Sequence, residues 1–316
     1  MAPLRIFFAT DLHGSETCFR KFLNAGKVYQ ADVLIIGGDL TGKMIVPLVE
    51  VKSGVFSFHW LDHAYTVSRA ELEEHEKQIR MSGCYPYRTT PEEMARFDQD
   101  PQEIKRLFRK ILKDSIREWL LLAEERLQGS KIECYIMPGN DDDLGVDEAF
   151  EGLEHVCNPE GKVVYVGGEF EMISTGYTNP TPWKSPRELE EEQLYERIAM
   201  MAQQLVAPHK AIFNLHCPPF DVGLDVAPRL DETLKPVAGI GGVQMTSVGS
   251  KAVLQAIQTY QPMLGLHGHV HESRGVVKVG KTFCVNPGSE YTEGILRGCL
   301  LLLERNGVKD YLLTSG

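Results

Sequence analysis

The sequence predicts an α/β protein, and its N-terminal part carries the main evidence. Leu4–Ala9 is a short apolar run that ends in a polar turn, an amphipathic helix is predicted over about residues 15–26, and Val33–Ile36 is a second apolar run. Continuous apolar runs of this length are typical of strands that are buried on both faces of a sheet. The strand–helix–strand order favours a βαβ unit with two parallel strands.

The composition is that of a globular protein, and its net charge limits the kinds of partner that we expect. Of the 316 residues, 43% are hydrophobic and 24% are charged, which is ordinary for a folded chain. The 33 basic and 44 acidic side chains give a formal net charge of -11. We therefore expect no membrane attachment and no extended nucleic-acid track. The sequence does not indicate the oligomeric state.

The cysteine pattern and the termini bear on location. The seven cysteines are scattered and form no CxxC pair, which is typical of free thiols in a reducing cytosol. The N-terminus shows no signal-peptide pattern, and no apolar run approaches the roughly 18–20 residues that span a bilayer. The sequence therefore predicts a cytoplasmic protein.

The pattern changes over about residues 43–130. Residues 45–58 alternate around a polar turn, which predicts a hairpin. Helices are predicted over about residues 68–81, from Thr90, and from Asp100 onward, the last two starting with a capping residue followed by proline. We expect a mainly helical insertion that could act as a cap, with the hairpin at its base. Its helices could also simply cover one face of the sheet, and both interpretations can hold together.

A sheet-like pattern returns after the insertion. Strands are predicted at about residues 132–137, 163–166, 170–174, 211–215 and 264–266, and further strands follow near the C-terminus. Helices are predicted from Ser185 to about residue 206 and over about residues 250–260. Helices and strands thus alternate through most of the chain, as in an α/β fold.

Five of the predicted strands end in residue types that bind metals. They supply two aspartates, one asparagine and four histidines: Asp11, His13, Asp39, Asn140, His216, His269 and His271. In an open α/β sheet, the side chains that follow the carboxyl ends of the strands meet at one edge. Carboxylates suit hard cations, and imidazoles suit Zn, Fe, Mn or Ni. Seven side chains exceed the needs of one ion and suit two ions about 3.5–4 Å apart that share one carboxylate.

Each motif also has an ordinary explanation when it stands alone. Gly-Gly-Asp and Gly-Asn-Asp are common turn sequences, and a single Asp-x-His is a weak signal for a metal site. His269-Val270-His271 is a stronger signal, because alternate residues of an extended segment point the same way. Their joint occurrence favours one shared site, since independent turns have no reason to supply only ligand types.

In this order the motifs resemble those of the calcineurin-like metallophosphoesterase superfamily. The family pattern Asp-x-His, Gly-Asp, Gly-Asn-His, His and Gly-His-x-His corresponds here to Asp11-Leu12-His13, Gly38-Asp39, Gly139-Asn140-Asp141, His216 and Gly268-His269-Val270-His271. The resemblance covers residues 4 to about 313, except the insertion. It implies a four-layer α/β/β/α sandwich with two central mixed sheets, which carries the largely helical insertion.

The resemblance also implies a role for each ligand. A first divalent metal would be held by Asp11, His13 and His271, and a second by Asn140, His216 and His269, with Asp39 bridging the two. The metals of the family are usually some pair of Mn, Fe, Zn or Ni. The catalytic positions implied in this way are Asp39, Asn140, Asp141, His216 and His269.

Asp141 stands where the family has a histidine that lies near the substrate phosphate and assists the leaving group. An ordinary aspartate is ionised at neutral pH, so it would repel phosphate and could not donate a proton unless its pKa were raised. We therefore expect a phosphate diester with a good leaving group rather than an alkyl monoester. His267 is a candidate substitute acid, or else a histidine packed behind the site.

Further candidates for substrate contact lie outside the motifs. Lys43, Arg80 and Arg88 could reach the site from the insertion and bind substrate phosphates, or they could be solvated surface charges. Tyr177 could stack on a base or ring, or could belong to an ordinary turn.

The sequence thus predicts a binuclear metal-dependent phosphoesterase. It would hydrolyse a small-molecule or nucleotide-type phosphate diester by means of a metal-bridging hydroxide. A phosphomonoesterase that acts on a nucleotide or a phosphoprotein is the first alternative. The second is a catalytically inactive scaffold of the same fold, which stoichiometric metal binding would disfavour.

Overall fold

Two six-stranded sheets occupy the centre of the protein. The computed structural model describes residues 2–239 and 241–316. The α-helices are α1 (Glu16–Val28), α2 (Arg69–Met81), α3 (Pro91–Gln99), α4 (Pro101–Leu127), α5 (Glu191–Ala202) and α6 (Lys251–Tyr260). The strands are β1 (Leu4–Ala9), β2 (Val33–Ile36), β3 (Met44–Lys52), β4 (Val55–Trp60), β5 (His63–Ser68), β6 (Cys84–Thr89), β7 (Glu133–Ile136), β8 (Val156–Cys157), β9 (Val163–Val166), β10 (Phe170–Thr175), β11 (Ile212–Leu215), β12 (Val226–Pro228), β13 (Ala238–Gly239), β14 (Gly242–Val243), β15 (Met245–Ser247), β16 (Leu264–Leu266), β17 (Gly275–Val279), β18 (Thr282–Asn286), β19 (Arg297–Glu304) and β20 (Gly307–Ser315).

Both central sheets are mixed. The first has the order β20-β19-β1-β2-β7-β8, in which β1, β2 and β7 run parallel and β19 runs antiparallel to β1. The second has the order β17-β18-β16-β11-β10-β9, with a parallel centre from β10 to β18 and antiparallel strands at both edges. The parallel strands are short and apolar because helices or a second sheet cover both of their faces.

The side chains of β1 point alternately to the two faces of the first sheet, and their contacts show how the layers stack. Ile6 and Phe8 lie in an apolar cluster with Met172 and other residues of the second sheet, so this face lies between the sheets. Phe7 points the other way, into a cluster with residues of α1 and α4. Helices α5 and α6 cover the outer face of the second sheet. The predicted four-layer α/β/β/α sandwich is confirmed.

The segment between β2 and β7 contains a third sheet. Its order is β5-β4-β3-β6, and it has its own apolar cluster around Leu48, Phe56 and Leu72. The predicted hairpin corresponds to β3 and β4. Strands β5 and β6 are not evident from the sequence, because most of β5 is exposed and β6 contains Pro86. The boundaries of the predicted insertion and its role as a cap stay predictions.

Helix α5 begins later than the sequence predicts. The predicted start at Ser185 is wrong, because the helix begins at Glu191. The preceding Arg187 is 1% exposed, and its guanidinium donates to the carbonyl oxygens of Asp142 and Asp143. These tertiary contacts hold the segment in an irregular turn despite its favourable capping sequence.

Among the helices that the structure describes, none is both long enough and apolar enough to cross a membrane. A cytoplasmic location stays a prediction.

Candidate metal centre

The carboxyl ends of five parallel strands bring the seven ligand-type residues together. They follow β1, β2 and β7 of the first sheet and β11 and β16 of the second. The ligand atoms of Asp11, His13 and His271 all lie within 4.8 Å of one another. Those of a second group, Asp39, His216 and His269, do so as well. The remaining side chain joins the second group, since Asn140 Oδ1 lies 2.8 Å from His269 Nδ1.

One carboxylate lies between the two groups. Asp39 Oδ2 is 3.6 Å from His13 Nε2 and 3.5 Å from His216 Nε2, so it faces one histidine of each group. In the first group, His271 Nε2 is 3.3 Å from Asp11 Oδ1 and 3.0 Å from His13 Nε2. This is the arrangement that a carboxylate shared by two ions requires.

His216 is oriented as a metal ligand would be. Its Nδ1 lies 2.8 Å from the carbonyl oxygen of Gly37 and donates to it, which leaves Nε2 as the basic nitrogen. Nε2 is buried and has no hydrogen-bond partner among the described residues. Metal-binding histidines are typically held by such a bond from the other ring nitrogen. The donor set and this orphaned nitrogen fit a divalent cation.

The turns that carry the ligands have unusual backbone conformations. Asp11, His13, Asp39 and His269 have φ angles of 56°, 42°, 53° and 67°. Residues other than glycine seldom adopt this left-handed region, and such strain concentrates at functional sites. Gly139 permits a close approach, because a Cβ there would lie 2.2 Å from Asp39 Oδ1.

The protonation of the site suits a cation. Burial would raise the pKa values of Asp11 and Asp39, but His216 and its neighbours hold both below their usual range. Burial lowers the pKa of His13 to about 4 and, together with His216, that of His269 to about 4. For His216, burial is outweighed by the two carboxylates, which raise its pKa to about 10. The aspartates are therefore ionised, and His13 and His269 keep a free lone pair at neutral pH. Without a metal, His216 is protonated at neutral pH because of the two carboxylates, so an ion that binds its Nε2 has to displace that proton.

Comparisons with known proteins support the fold. No family model matches the chain. A protein of Thermus thermophilus of known structure is 14% identical, with a TM-score of 0.55 over 100% of this chain and 99% of that chain. Another solved structure is 17% identical, with a TM-score of 0.58 over 98% of this chain and 99% of that chain. Identities this low establish the fold alone. An archaeal phosphodiesterase is similar only at a TM-score of 0.38, with 11% identity over 98% of this chain and 99% of that chain.

The chain shares the overall fold of the first two of these solved structures. An uncharacterized protein of Methanocaldococcus jannaschii is 28% identical over 159 residues. That match spans 49% of this chain and 64% of the relative, so this chain covers less than two thirds of that protein.

Asp142 is a buried residue beside the candidate metal centre that the sequence did not indicate. It is 0% exposed. Its carboxylate accepts hydrogen bonds from the backbone N–H groups of Leu40 and Thr41 and from the hydroxyl of Thr41, at 2.9, 2.8 and 2.6 Å. It also accepts one from Gly139 N at 2.7 Å. Asp142 therefore ties the turn after Asp39 to the turn that carries Asn140, and the run of three aspartates was the available signal.

The structure gives Asp141 partners that the sequence did not suggest. Lys43 Nζ lies 2.6 Å from its Oδ2, and Ser185 Oγ donates to Oδ1 at 2.7 Å. Its backbone N–H donates to Asp39 Oδ1 at 3.0 Å. Lys43 is thus a cation of the predicted set that reaches the candidate metal centre.

Tyr291 is a second residue that the sequence analysis missed. Its ring centroid lies 4.7 Å from that of His13 and 5.9 Å from that of His271. It belongs to a short 3-10 helix, Tyr291–Glu293, that no sequence motif marks. It forms part of the wall beside the first ligand group.

Three of the predicted substrate contacts have other partners in the structure. His267 is 0% exposed and its Nδ1 lies 2.8 Å from the carbonyl oxygen of Leu215, so it is a packed histidine rather than a substitute acid. The ring of Tyr177 is covered by Arg197, whose Cζ lies 4.4 Å from the ring centroid.

Of the two arginines that were predicted to bind substrate phosphates, Arg88 is paired elsewhere. Arg88 makes two hydrogen bonds to Glu76, of 2.6 and 2.9 Å, which hold β6 to α2. Arg80 is exposed in the last turn of α2, and its role in binding substrate stays a prediction.

Proposed function

We propose that this protein is a two-metal phosphoesterase that hydrolyses a phosphate diester. The observation that carries the proposal is the position of Asp39 Oδ2 between His13 and His216, together with the unpartnered Nε2 of His216. The presence of all seven ligand-type side chains at one edge disfavours an inactive scaffold.

The residues divide into two binding sets that share Asp39. Asp11, His13 and His271 form the first, and Asn140, His216 and His269 form the second, in agreement with the groups that the distances define. When bound, two divalent ions supply a nucleophilic hydroxide near neutral pH and stabilise charge on the phosphate oxygens. Mn, Fe, Zn and Ni all suit this mixture of carboxylate, amide and imidazole ligands.

The chain's own groups hold this arrangement. The backbone N–H of Asp141 orients Asp39 from one side, and Gly37 orients His216 from the other. The amide nitrogen of Asn140 donates to Asp141 Oδ1 at 3.0 Å, so its oxygen is directed at His269. Groups of this kind keep ligands in place before a metal or substrate arrives.

A cavity beside the first ligand group favours a compact substrate. A cavity of about 390 Å³ begins at His271 and is lined by Arg274, Ser289 and Arg297 on its polar side, with Glu272 and Glu290 also present. This volume lies in the range of small-molecule sites. It supports a small-molecule or nucleotide-type ester as the substrate.

A phosphomonoesterase is the second candidate, and one observation favours it. Lys43 offsets the negative charge of Asp141, so the repulsion that would exclude a dianionic phosphate is smaller than the sequence suggests. The test compares hydrolysis of bis-p-nitrophenyl phosphate and p-nitrophenyl phosphate with Mn, Ni, Zn, Fe or EDTA, alongside elemental analysis. Faster metal-dependent cleavage of the diester supports the proposal, and the opposite preference supports the monoesterase. A protein that neither binds metal nor cleaves either ester contradicts both.

Asp39→Asn tests the site itself. We expect the variant to lose about a hundredfold or more in kcat/KM for the diester, together with much of its metal, because it removes the shared charge. Asp62→Asn is a matched control, since Asp62 is exposed in the turn between β4 and β5 and also has a positive φ, of 60°. Full activity in Asp39→Asn would show that the assignment of the site is wrong.

A further inference from the structure

An ion pair lies beside the candidate metal ligands. Lys43 Nζ is 2.6 Å from Asp141 Oδ2. The other oxygen, Oδ1, accepts hydrogen bonds from Ser185 Oγ at 2.7 Å and from Asn140 Nδ2 at 3.0 Å. Both oxygens of the carboxylate are engaged, so its orientation is fixed.

The chain that leads to Lys43 is also held in place. Asp142 accepts hydrogen bonds from Thr41 N at 2.8 Å and from Thr41 Oγ1 at 2.6 Å. Gly42 N donates to Tyr85 Oη at 2.8 Å. The backbone and the ion pair together restrict the position of the ammonium group before any ligand is present. A preorganised cation contributes more to binding than a mobile one.

The ammonium group keeps donors for a ligand. A lysine ammonium has three N–H donors, and within residues 2–239 and 241–316 its close acidic partner is Asp141. The side chain of Lys43 is 53% exposed, so the other donors are open to solvent. The pair also lies at the metal centre, because a carboxylate oxygen of Asp141 is within 4.8 Å of ligand atoms of His13 and Asp39.

We propose that Lys43, positioned by Asp141, binds a non-bridging oxygen of the substrate phosphoryl group. The inference rests on the proposed function and deepens it. Asp141 is then a positioning residue rather than an acid, since lysine, serine and asparagine use both of its oxygens. The insertion contributes to the site through this contact, because Lys43 directly precedes β3. The ligand class is an anionic phosphate ester whose phosphoryl group reaches the metals and the lysine together.

A double-mutant cycle of Lys43→Gln, Asp141→Asn and the combined variant tests the proposal. Lys52→Gln is the control, since Lys52 is exposed at the other end of β3. Each Mn-loaded protein is assayed with bis-p-nitrophenyl phosphate, its affinity for inorganic phosphate is measured by calorimetry, and its metal content by elemental analysis.

We expect Lys43→Gln to lower kcat/KM and phosphate affinity by about tenfold to a hundredfold, the range for a charge-assisted hydrogen bond. Metal content should not change, and Lys43→Arg should recover part of both losses. Asp141→Asn should lower both quantities. The combined variant should be no worse than Lys43→Gln alone, because residues that act as a unit are not additive.

Three results would overturn the proposal. Lys43→Gln could behave like Lys52→Gln, the two single losses could add in the combined variant, or Asp141→Asn could lose manganese, which would make Asp141 a metal ligand. If the wild-type protein hydrolyses no ester, the proposed function fails on its own. Phosphate affinity then decides about Lys43, and an unchanged affinity in Lys43→Gln contradicts the proposal.

Discussion

Asp142 shows how one buried carboxylate joins two turns of the site. It accepts four hydrogen bonds, three of them from backbone N–H groups, in a fully buried position. Burial, followed by the charge of Asp39, raises its pKa to about 6. The carboxylate is thus ionised at neutral pH, and its four donors offset the cost of burying the charge.

Replacing Asp142 should destabilise the protein strongly. We expect Asp142→Ala to lower the free energy of unfolding by about 3 kcal/mol or more, because three backbone N–H groups lose their acceptor. Asp142→Asn keeps one acceptor oxygen and should lose less. Urea unfolding at neutral pH measures both. Asp114→Asn, on the exposed face of α4, should stay within about 0.5 kcal/mol of the wild type, and an equally small effect of Asp142→Ala would refute the role assigned to it.

At the scale of single residues, the ligand-type side chains were predictable and their supporting contacts were not. Each of the seven follows an apolar strand within a few residues, and this is a local signal. The partners of Asp141 come from the start of β3 and from the irregular turn at Ser185. No local pattern links these segments, since their proximity depends on how the sheets are stacked.

At the scale of elements, helix α4 has two different halves. Its C-terminal half packs in one apolar cluster with α1 and the first sheet. The ring of Trp119 stacks there on that of Phe19 in α1, with centroids 4.5 Å apart. Its N-terminal half is more open, and Ile104 is 38% exposed. A regular apolar pattern along the sequence therefore continues beyond the part of the helix that is buried.

Truncation of the two halves should have unequal effects. Trp119→Ala should lower the free energy of unfolding by about 3–5 kcal/mol, as expected for a buried aromatic side chain. Ile104→Ala, the matched truncation on the open half, should cost less than about 1 kcal/mol. Denaturant unfolding of the two variants measures the difference. Equal losses would mean that both halves are packed alike in solution.

Helix α4 is also held to the sheet by a carboxylate. Glu124 Oε1 accepts from the backbone N–H groups of His155 and Val156 at 2.7 and 2.8 Å, and Oε2 accepts from that of Glu154 at 3.1 Å. Burial would raise the pKa of Glu124, but these three donors outweigh burial and hold the pKa below its usual range. A lowered carboxyl pKa stabilises the fold above the unfolded value, and the contribution is lost as pH falls through the folded value.

Glu124→Gln should therefore show a pH-dependent loss. At pH 7 we expect a loss of about 1 kcal/mol in the free energy of unfolding. The gap to the wild type should narrow as the pH falls from about 4.3, the pKa of an unperturbed glutamate, through the lower pKa of Glu124 in the folded protein. Urea unfolding at pH 7 and pH 3 measures this, with Glu125→Gln at an exposed neighbouring position as the control. If the difference in free energy of unfolding between the wild type and Glu124→Gln were the same at both pH values, the charge of Glu124 would be excluded as the cause of that difference.

At the scale of the whole molecule, both central sheets contribute to one site. Asp11, Asp39 and Asn140 belong to turns of the first sheet, and His216 and His269 to turns of the second. A ligand held by all of them joins the two halves of the sandwich. A ligand that binds only the folded state raises its stability with the logarithm of the ratio of ligand concentration to Kd.

Metal should therefore stabilise the entire protein. We expect Mn at about a hundred times its Kd to add about 2.7 kcal/mol to the free energy of unfolding relative to the EDTA-treated protein. Calcium should add less, because imidazole ligands suit transition metals better than hard cations. Thermal unfolding with Mn, Ca or EDTA measures this, and Asp39→Asn should lose most of the response. A melting temperature unaffected by Mn would contradict the metal centre.

The sequence by itself determined the α/β class, most of the elements and the side chains that can bind metal. The reason is that apolar periodicity, helix capping and residues after strand ends are local properties. The tertiary structure decided where α5 begins, which of the outlying cations reaches the site, and how Asp142 connects two turns. These outcomes depend on contacts between segments that are distant in the chain: Arg187 is drawn into the backbone beside Asp142, while Arg88 is paired with Glu76. Local patterns cannot encode such contacts, because the order and packing of the sheets set which loops meet.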